Sequence, residues 1–260
     1  MTLSVAEGEM TEHEKQPDRI VLKDIRKRFG MVEALRGVTL RVAPGEVVGL
    51  VGDNAAGKST LMKVLSGAYV PDSGEIWVDG VRVGYETPRQ AQEMGIEMVY
   101  QDLALCDDID VAGNIFLGRE PRRAGGIALD KKRMHADARR LLDSLNIRIP
   151  HTDLPVRNLS GGQRQAVAIA RAVNFEPRLL ILDEPTAALA VSEVETVLSL
   201  IGTVASSGVG VILITHRLQD LFEVCDRFCV MYEGTLRADL CAADATLETL
   251  VQEIVGGRQR

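Results

Sequence analysis

The chain has 260 residues, 46% hydrophobic, 26% charged and only 4% aromatic, and its 30 Lys and Arg against 37 Asp and Glu give a formal net charge of −7. That length and apolar content suit one large domain or two small ones and exclude a wholly disordered chain. The acidic balance excludes nucleic acid as the main ligand, because backbone phosphates call for a basic surface.

No run approaches the roughly 20 apolar residues of a bilayer span. The start, MTLSVAEGEMTEHEKQPD, lacks the basic and apolar regions of a signal peptide, so the expected compartment is the cytoplasm. Cys106, Cys225, Cys229 and Cys241 fit a reducing compartment rather than a disulfide framework. Cys225 and Cys229 are spaced by one helical turn, but no His or further CxxC pair stands near them, and they are expected to be buried structural thiols.

Residues 1–18 are polar and acidic and read as a disordered tail. From Ile20 onward, short β-branched runs alternate with helical patterns. Val47–Val51, Leu179–Leu182 and Val211–Ile214 are continuous apolar runs, as expected of parallel strands buried on both faces. Arg41-Val42, Glu75–Val78 and Val81–Val83 alternate instead, with Gly74, Gly80 and Gly84 between, which predicts an antiparallel meander with one wet face. Between about 102 and 165 the strand signal disappears. There Asp130 is placed to cap a helix whose Met134, Ala138, Leu141, Leu142 and Leu145 share a face. Near the end, Leu247, Leu250, Val251, Ile254 and Val255 form an apolar stripe expected in the core, closed by Gly256-Gly257 as a C-cap signal.

Three motifs carry chemistry. Gly52-Asp53-Asn54-Ala55-Ala56-Gly57-Lys58-Ser59-Thr60 fits GxxxxGK[ST] between a buried strand and the helix-forming LMKVLSGA. Its glycines let successive N–H groups turn toward phosphate oxygens, and the following helix adds its positive terminus. Lys58 is the candidate for the β- and γ-phosphates, and Ser59 for Mg²⁺. Second, Leu179–Leu182 delivers Asp183 and Glu184 at a strand end, where Asp183 suits Mg²⁺ through water and Glu184 suits polarising the attacking water. Third, Leu159-Ser160-Gly161-Gly162-Gln163 precedes AVAIARAV, with Ser160 as N-cap and two glycines leaving the helix terminus open to an anion. One chain does not easily aim two helix N-termini at one γ-phosphate, whereas a second copy can.

With these motifs in this order, the sequence resembles the ATP-binding cassette (ABC) family, of which LSGGQ is the signature, over nearly everything from Ile20 to Gly257. The resemblance implies an α/β P-loop NTPase cassette: a mixed parallel core sheet, an antiparallel β flank and an inserted helical subdomain. As a single domain over 19–257, it would take core and flank from 19–101 and 166–257 and the helical subdomain from 102–165. Gln101 in VYQDLAL matches the Q-loop that binds Mg²⁺ and senses the permease, His216 in ITHRL the switch histidine at the γ-phosphate, and Phe29 in KRFG the aromatic that stacks on adenine. GDN, VYQDLALCDDIDVAGNIFLGRE and EPTAAL resemble ATPases of monosaccharide importers of the ribose, xylose and fructose group, many of which carry two cassettes in one chain. A single cassette then implies a homodimer.

The resemblance further implies ATP and Mg²⁺ as ligand and cofactor, and catalytic roles for Glu184, His216 and Lys58. It also implies a separate transmembrane permease, a periplasmic or extracellular sugar-binding protein as indirect partner, and a peripheral place on the cytoplasmic face of the membrane. Two positions depart from the family pattern. Ala55 stands where glycine is usual, so at φ > 0 it costs about 1 kcal/mol, and Ala190 replaces the usual Asp of the D-loop. The alternatives are a soluble ABC ATPase acting on ribosomes or DNA, and a module that binds ATP without turnover. The first is at odds with an acidic chain of only 260 residues and the second with Glu184 and His216, so phosphate release separates them. Lys131-Lys132-Arg133 reads as a solvated helix face rather than a nucleic-acid patch.

Overall fold

The computed structural model describes residues 18–123, 128–187 and 189–256. Residues 1–17 of the tail expected over 1–18, and Gly257 of the expected C-cap, lie outside the described residues.

In chain order, β1 (Ile20–Phe29) and β2 (Val32–Val42) form a long hairpin, and β3 (Val47–Gly52) runs into the loop before α1 (Lys58–Leu65). A short excursion follows, made of β4 (Ser73–Val78), β5 (Val81–Val83), α2 (Pro88–Glu93) and β6 (Ile96–Val99). The strand-poor stretch holds α3 (Val111–Ile115), the two-residue pairing of β7 (Arg122–Arg123) with β8 (Ala128–Leu129), α4 (Lys131–Ser144) and then α5 (Gly161–Val173). The small β7–β8 ladder has no counterpart in the sequence reading, because two residues are too few for a period to register. The chain closes with β9 (Leu179–Asp183), α6 (Val191–Ser206), β10 (Gly210–Ile214), α7 (Leu218–Val224), β11 (Arg227–Tyr232), β12 (Thr235–Cys241) and α8 (Leu247–Val255).

Two sheets result. The order β2-β1-β4-β5 is antiparallel throughout. The order β12-β11-β3-β10-β9-β6 is parallel except for the edge pair β11–β12. The continuous apolar runs are explained by two cores, one on each face of this second sheet. Val47 and Val51, Leu180 and Leu182, and Val211 and Leu213 face the helices α3 to α6. Val48 and Leu50, Leu179 and Ile181, and Ile212 and Ile214 face α1 and the antiparallel sheet. Each such side chain gains about 1.5–3 kcal/mol from burial, so a one-residue slip of any of these strands would exchange its two sets.

The helical stretch shares the first of these cores. Met134, Ala138 and Leu142 of α4 are buried together with Val111, Ala112 and Ile115 of α3, and Asp130 caps α4 by accepting from the Arg133 amide. The buried Asn114 side chain organises the preceding loop, accepting from the Cys106 amide at 2.8 Å and donating to the Cys106 and Ile109 carbonyls at 3.0 Å.

Two readings are corrected. Only Leu250 of the α8 stripe is fully buried, while Leu247, Val251 and Val255 are exposed, because α8 lies on the edge pair and turns one side chain inward. Gly256 does stand at the C-cap of α8, with φ −59° and its amide donating to Gln252 O. Cys225 and Cys229 do not share a helix turn: Cys225 is the extended residue after α7 and Cys229 lies within β11, and they point into opposite cores. Both are buried as expected, and no group of three or more His, Cys, Asp or Glu among the described residues is arranged to hold a metal.

Candidate functional site

The parallel strands bring the motifs to one edge. In register, Ile214 pairs with Asp183, Val99 with Leu182, and Leu213 with Gly49. The segments leaving the C-terminal ends of β3, β10, β9 and β6 therefore carry Gly52–Thr60, His216, Glu184 and Gln101 side by side. Ligands of open α/β sheets bind at such an edge. A cavity of about 390 Å³ there is lined by Gly52, Asp53, Asn54 and Lys58, with Thr215, His216, Leu218 and Ile254 opposite.

The loop is held open by close packing. A Cβ on Gly52 would overlap the Met231 carbonyl, and one on Gly57 would stand 2.7 Å from the Ala34 carbonyl. Gly57 also carries φ 102°, which brings Lys58 onto the first turn of α1. Ala55 has φ 67°, the left-handed conformation for which alanine is poorly suited. Ala56 is buried, its amide donating to Asp53 O at 3.1 Å while its carbonyl accepts from Gly234 N at 3.0 Å, so the β11–β12 turn supports the loop from behind. Ser59 is exposed in the first turn of α1 and Thr60 is half-buried beside it.

Lys58 arches over this loop. Its Nζ donates to Gly52 O at 2.6 Å and to Asp53 O at 3.0 Å. Burial lowers its pKa, while the charges of Asp53, Glu184 and Asp183 oppose that shift. Asp183 shows the converse: burial raises its carboxyl, and His216, Lys58 and Lys63 counter it. The two ends of the site are thus in each other's field.

Glu184 has φ 52° and a side chain only 15% exposed. A non-glycine residue held there costs of order 1–3 kcal/mol, and such strain concentrates at working sites. Its amide is anchored to Ile214 O at 2.8 Å. Its Oε1 is buried without a hydrogen-bond partner among the described residues, although His216 Nε2 stands 3.4 Å away. An orphaned carboxylate oxygen beside a mostly exposed imidazole is suited to taking a proton from water.

Phe29 and Gln101 stand further out. Phe29, 43% exposed, lies at the tip of the β1–β2 hairpin and packs edge-on against Tyr69, with centroids 5.1 Å apart. It does not line the phosphate cavity. Gln101 is exposed, two residues past β6, and the loop after it is pinned where Arg171 of α5 donates to Leu103 O and Ala104 O at 2.7 Å.

Ser160, Gly161, Gly162 and Gln163 open α5 with a reciprocal cap: Gln163 N donates to Ser160 Oγ at 3.3 Å, and Ser160 N donates to Gln163 Oε1 at 3.1 Å. None of the four lines the phosphate cavity of the same chain. Three participants escape the sequence reading: Tyr69 behind Phe29, Gly234 behind the loop, and Glu193, which accepts from Gly162 N at 3.1 Å. Only Glu193 had a signal, a glutamate three residues past a helix start, and Ala190 at the cap position lacks the hydroxyl that completes that pattern.

A glycine-shaped phosphate loop entering a helix, with a strand-end Asp-Glu pair at the same sheet edge, defines a P-loop nucleotide-binding cassette. The chain belongs to the ABC transporter family, whose profile matches residues 35–187. It is 48% identical over 219 residues to the xylose/arabinose import ATP-binding protein XylG of Sulfolobus acidocaldarius, covering 84% of this chain and 86% of that protein. It is 41% identical over 237 residues to the ribose import ATP-binding protein RbsA 1 of Streptomyces coelicolor, covering 91% of this chain but 46% of that protein, so it spans about half of that relative. Among solved structures, CbiO1 of Clostridium perfringens, part of the CbiONQ ABC transporter complex, superposes with a TM-score of 0.76 at 26% identity, covering 91% of this chain and 94% of that one. The ADP form of the ATP-binding cassette MJ1267 shares the fold with a TM-score of 0.79 at 24% identity, covering 94% of this chain and 99% of the other.

Proposed function

We propose that this chain is the ATP-hydrolysing subunit of an importer for a monosaccharide, working as a homodimer against a separate membrane permease. The observation that carries the hydrolytic reading is Glu184: a strained residue at the end of β9 whose buried Oε1 has His216 Nε2 at 3.4 Å. A module that only bound nucleotide would have no use for it. The sugar class rests on the likeness to the xylose/arabinose and ribose import proteins.

In this reading the amides of Gly52–Thr60 and the α1 terminus hold the phosphates, Lys58 neutralises the β- and γ-groups, and Phe29, backed by Tyr69, supports adenine. The donors assigned to Mg²⁺ are hard oxygens: the Ser59 hydroxyl, the Asp183 carboxylate and the Gln101 amide. Those few ligands suit an ion completed by water and phosphate oxygens rather than a protein cage. Mg²⁺ bound there would spread the developing phosphate charge. Glu184 orients and deprotonates water, and His216 reaches the γ-phosphate. Ser160, Gly161, Gly162 and Gln163 of one chain complete the site of the other, which accounts for their distance from their own phosphate cavity.

No helix among the described residues is long and apolar enough to cross a membrane. In this reading the permease is a separate element, with this chain peripheral on the cytoplasmic side and a sugar-binding protein acting through the permease. The surface we assign to the permease is a groove of about 1060 Å³, lined by Met94, Gln92, Leu117, Arg119 and Phe175. It adjoins the start of β6 at Gly95, and Gln101 follows the other end of that strand.

The test is phosphate release by purified protein together with light scattering. Glu184→Gln keeps shape but loses the base, so turnover should fall about 10²–10⁴-fold while ATP turns the variant from monomer into dimer. Adding Ser160→Arg should abolish that dimer. Hydrolysis at the wild-type rate by Glu184→Gln would refute the catalytic assignment, and a dimer indifferent to ATP and to Ser160→Arg would refute the shared site.

A further inference from the structure

The N-terminus of α5 already has an anion on it. Glu193, in the first turn of α6, reaches back across 31 residues so that its Oε1 accepts from Gly162 N at 3.1 Å, while its Oε2 accepts from Ala190 N at 3.2 Å. The Ser160 side chain and the amides of Gly162 and Ala190 together hold the carboxyl below its ordinary value. Ser160 Oγ accepts from Gln163 N, which leaves its own proton for an anion at this terminus. The approach is close by construction: a Cβ on Gly162 would stand 2.9 Å from Glu193 Cβ and 3.1 Å from its Cγ. Glycine at 162 is therefore the space in which the Glu193 stem lies.

A helix N-terminus with a free hydroxyl is suited to a phosphate oxygen, and the donors engaged here are the same ones that the shared-site reading assigns to the γ-phosphate of the other chain. One N–H cannot serve two anions well, and a carboxylate and a phosphate side by side repel. We propose that Glu193 is a positioning residue that stands in for the γ-phosphate: it keeps Ser160 and Gly162 ordered in a single chain and must yield them when the partner's nucleotide arrives. This inference rests on the shared-site reading. Because the second oxygen of Glu193 holds Ala190, release of Gly162 is felt at the Ala190 loop, which gives that loop a link to the neighbouring site although it lacks an aspartate. The bond to Ala190 N also gives the displaced carboxylate a place to remain, so the α6 terminus keeps its cap.

The experiment is done in the Glu184→Gln full-length chain, reading the dimer dissociation constant at saturating ATP by light scattering. Glu193→Gln keeps the shape and removes the charge, so the dimer should tighten about tenfold, the difference between a charge-assisted and a neutral hydrogen bond. Glu193→Asp keeps the charge and the bond to Ala190 but is one methylene too short to hold Gly162 as well, and should tighten the dimer by a smaller factor. Without ATP, the Gly162 amide should exchange with solvent faster in both variants. A merely structural cap predicts the opposite sign, since losing it can only weaken the sandwich. Unchanged or weaker dimerisation in a folded Glu193→Gln or Glu193→Asp protein would overturn the inference while leaving the shared site intact. Should Glu193→Gln fail to fold, Glu193→Asp decides alone. A Glu184→Gln parent that forms no ATP-dependent dimer would overturn the shared site and this inference with it.

Discussion

Replacing Lys58 with methionine separates the charge of this side chain from its bulk. The Nζ sits over the loop on two carbonyls, 2.6 Å from Gly52 O and 3.0 Å from Asp53 O, where a phosphate oxygen can share its third proton. Two unit charges 4 Å apart interact by about 4 kcal/mol at an effective dielectric constant of 20 and by about 1 kcal/mol in water. A half-exposed site lies between, at about 2–3 kcal/mol, which converts to a loss of about 30- to 150-fold in ATP affinity. The fold should tolerate the change. Burial depresses the amine's pKa, so charging Lys58 costs the folded chain stability at every pH below its folded pKa. That cost is relieved as pH rises through the folded pKa toward the ordinary amine value of 10.5. At pH 7.5 methionine removes the cost and loses two loop hydrogen bonds, so the two changes oppose one another and Tm should move by less than about 3 °C. Titration of a fluorescent ATP analogue and a thermal scan read the two quantities on one sample. Wild-type affinity in Lys58→Met would show that the phosphate site lies elsewhere. A fall in Tm beyond about 8 °C would show that Lys58 is chiefly a strut of the loop.

Two further outcomes are expected. Ala55→Gly relieves about 1 kcal/mol of left-handed strain but adds about 0.5–1 kcal/mol of unfolded-chain entropy, so its Tm should stay within about 2 °C of wild type, whereas the β-branched Ala55→Val should lose about 3–6 °C in the same thermal scan. Burial pushes the Cys229 thiol up to about 12 and raises Cys225 further, while Cys241 is exposed. Iodoacetamide at pH 8 should therefore mark Cys241 in the native protein and reach Cys225 and Cys229 only after denaturation, as peptide mass spectrometry will report.

The sequence by itself determined whatever is enforced within a few residues. Gly57 must precede Lys58 because only glycine takes φ 102° without strain, so the phosphate loop is legible as a string. Ser160 and Gln163 cap one another three residues apart, and Asp130 caps α4 in the same local way. The strands β3, β9 and β10 announce themselves because both faces are buried, which leaves no polar alternation to read. Even the left-handed turn at Ala55 follows from the loop's required path.

Only the tertiary structure decided which of these pieces meet. The strand order β3-β10-β9-β6 places His216 beside Glu184, 32 residues earlier, and strains the Glu184 backbone to do so. It sends the α8 stripe, whose period looks like a core face, mostly to the surface, and parts Cys225 from Cys229 across a sheet. It also lays Glu193 on Gly162, a contact without any local pattern. The physical reason is common to all of these. Periodicity and capping report the free energy of nearby atoms along the chain, whereas the pairing of distant segments is set by how two cores fill on opposite faces of one sheet, a quantity that belongs to no single segment.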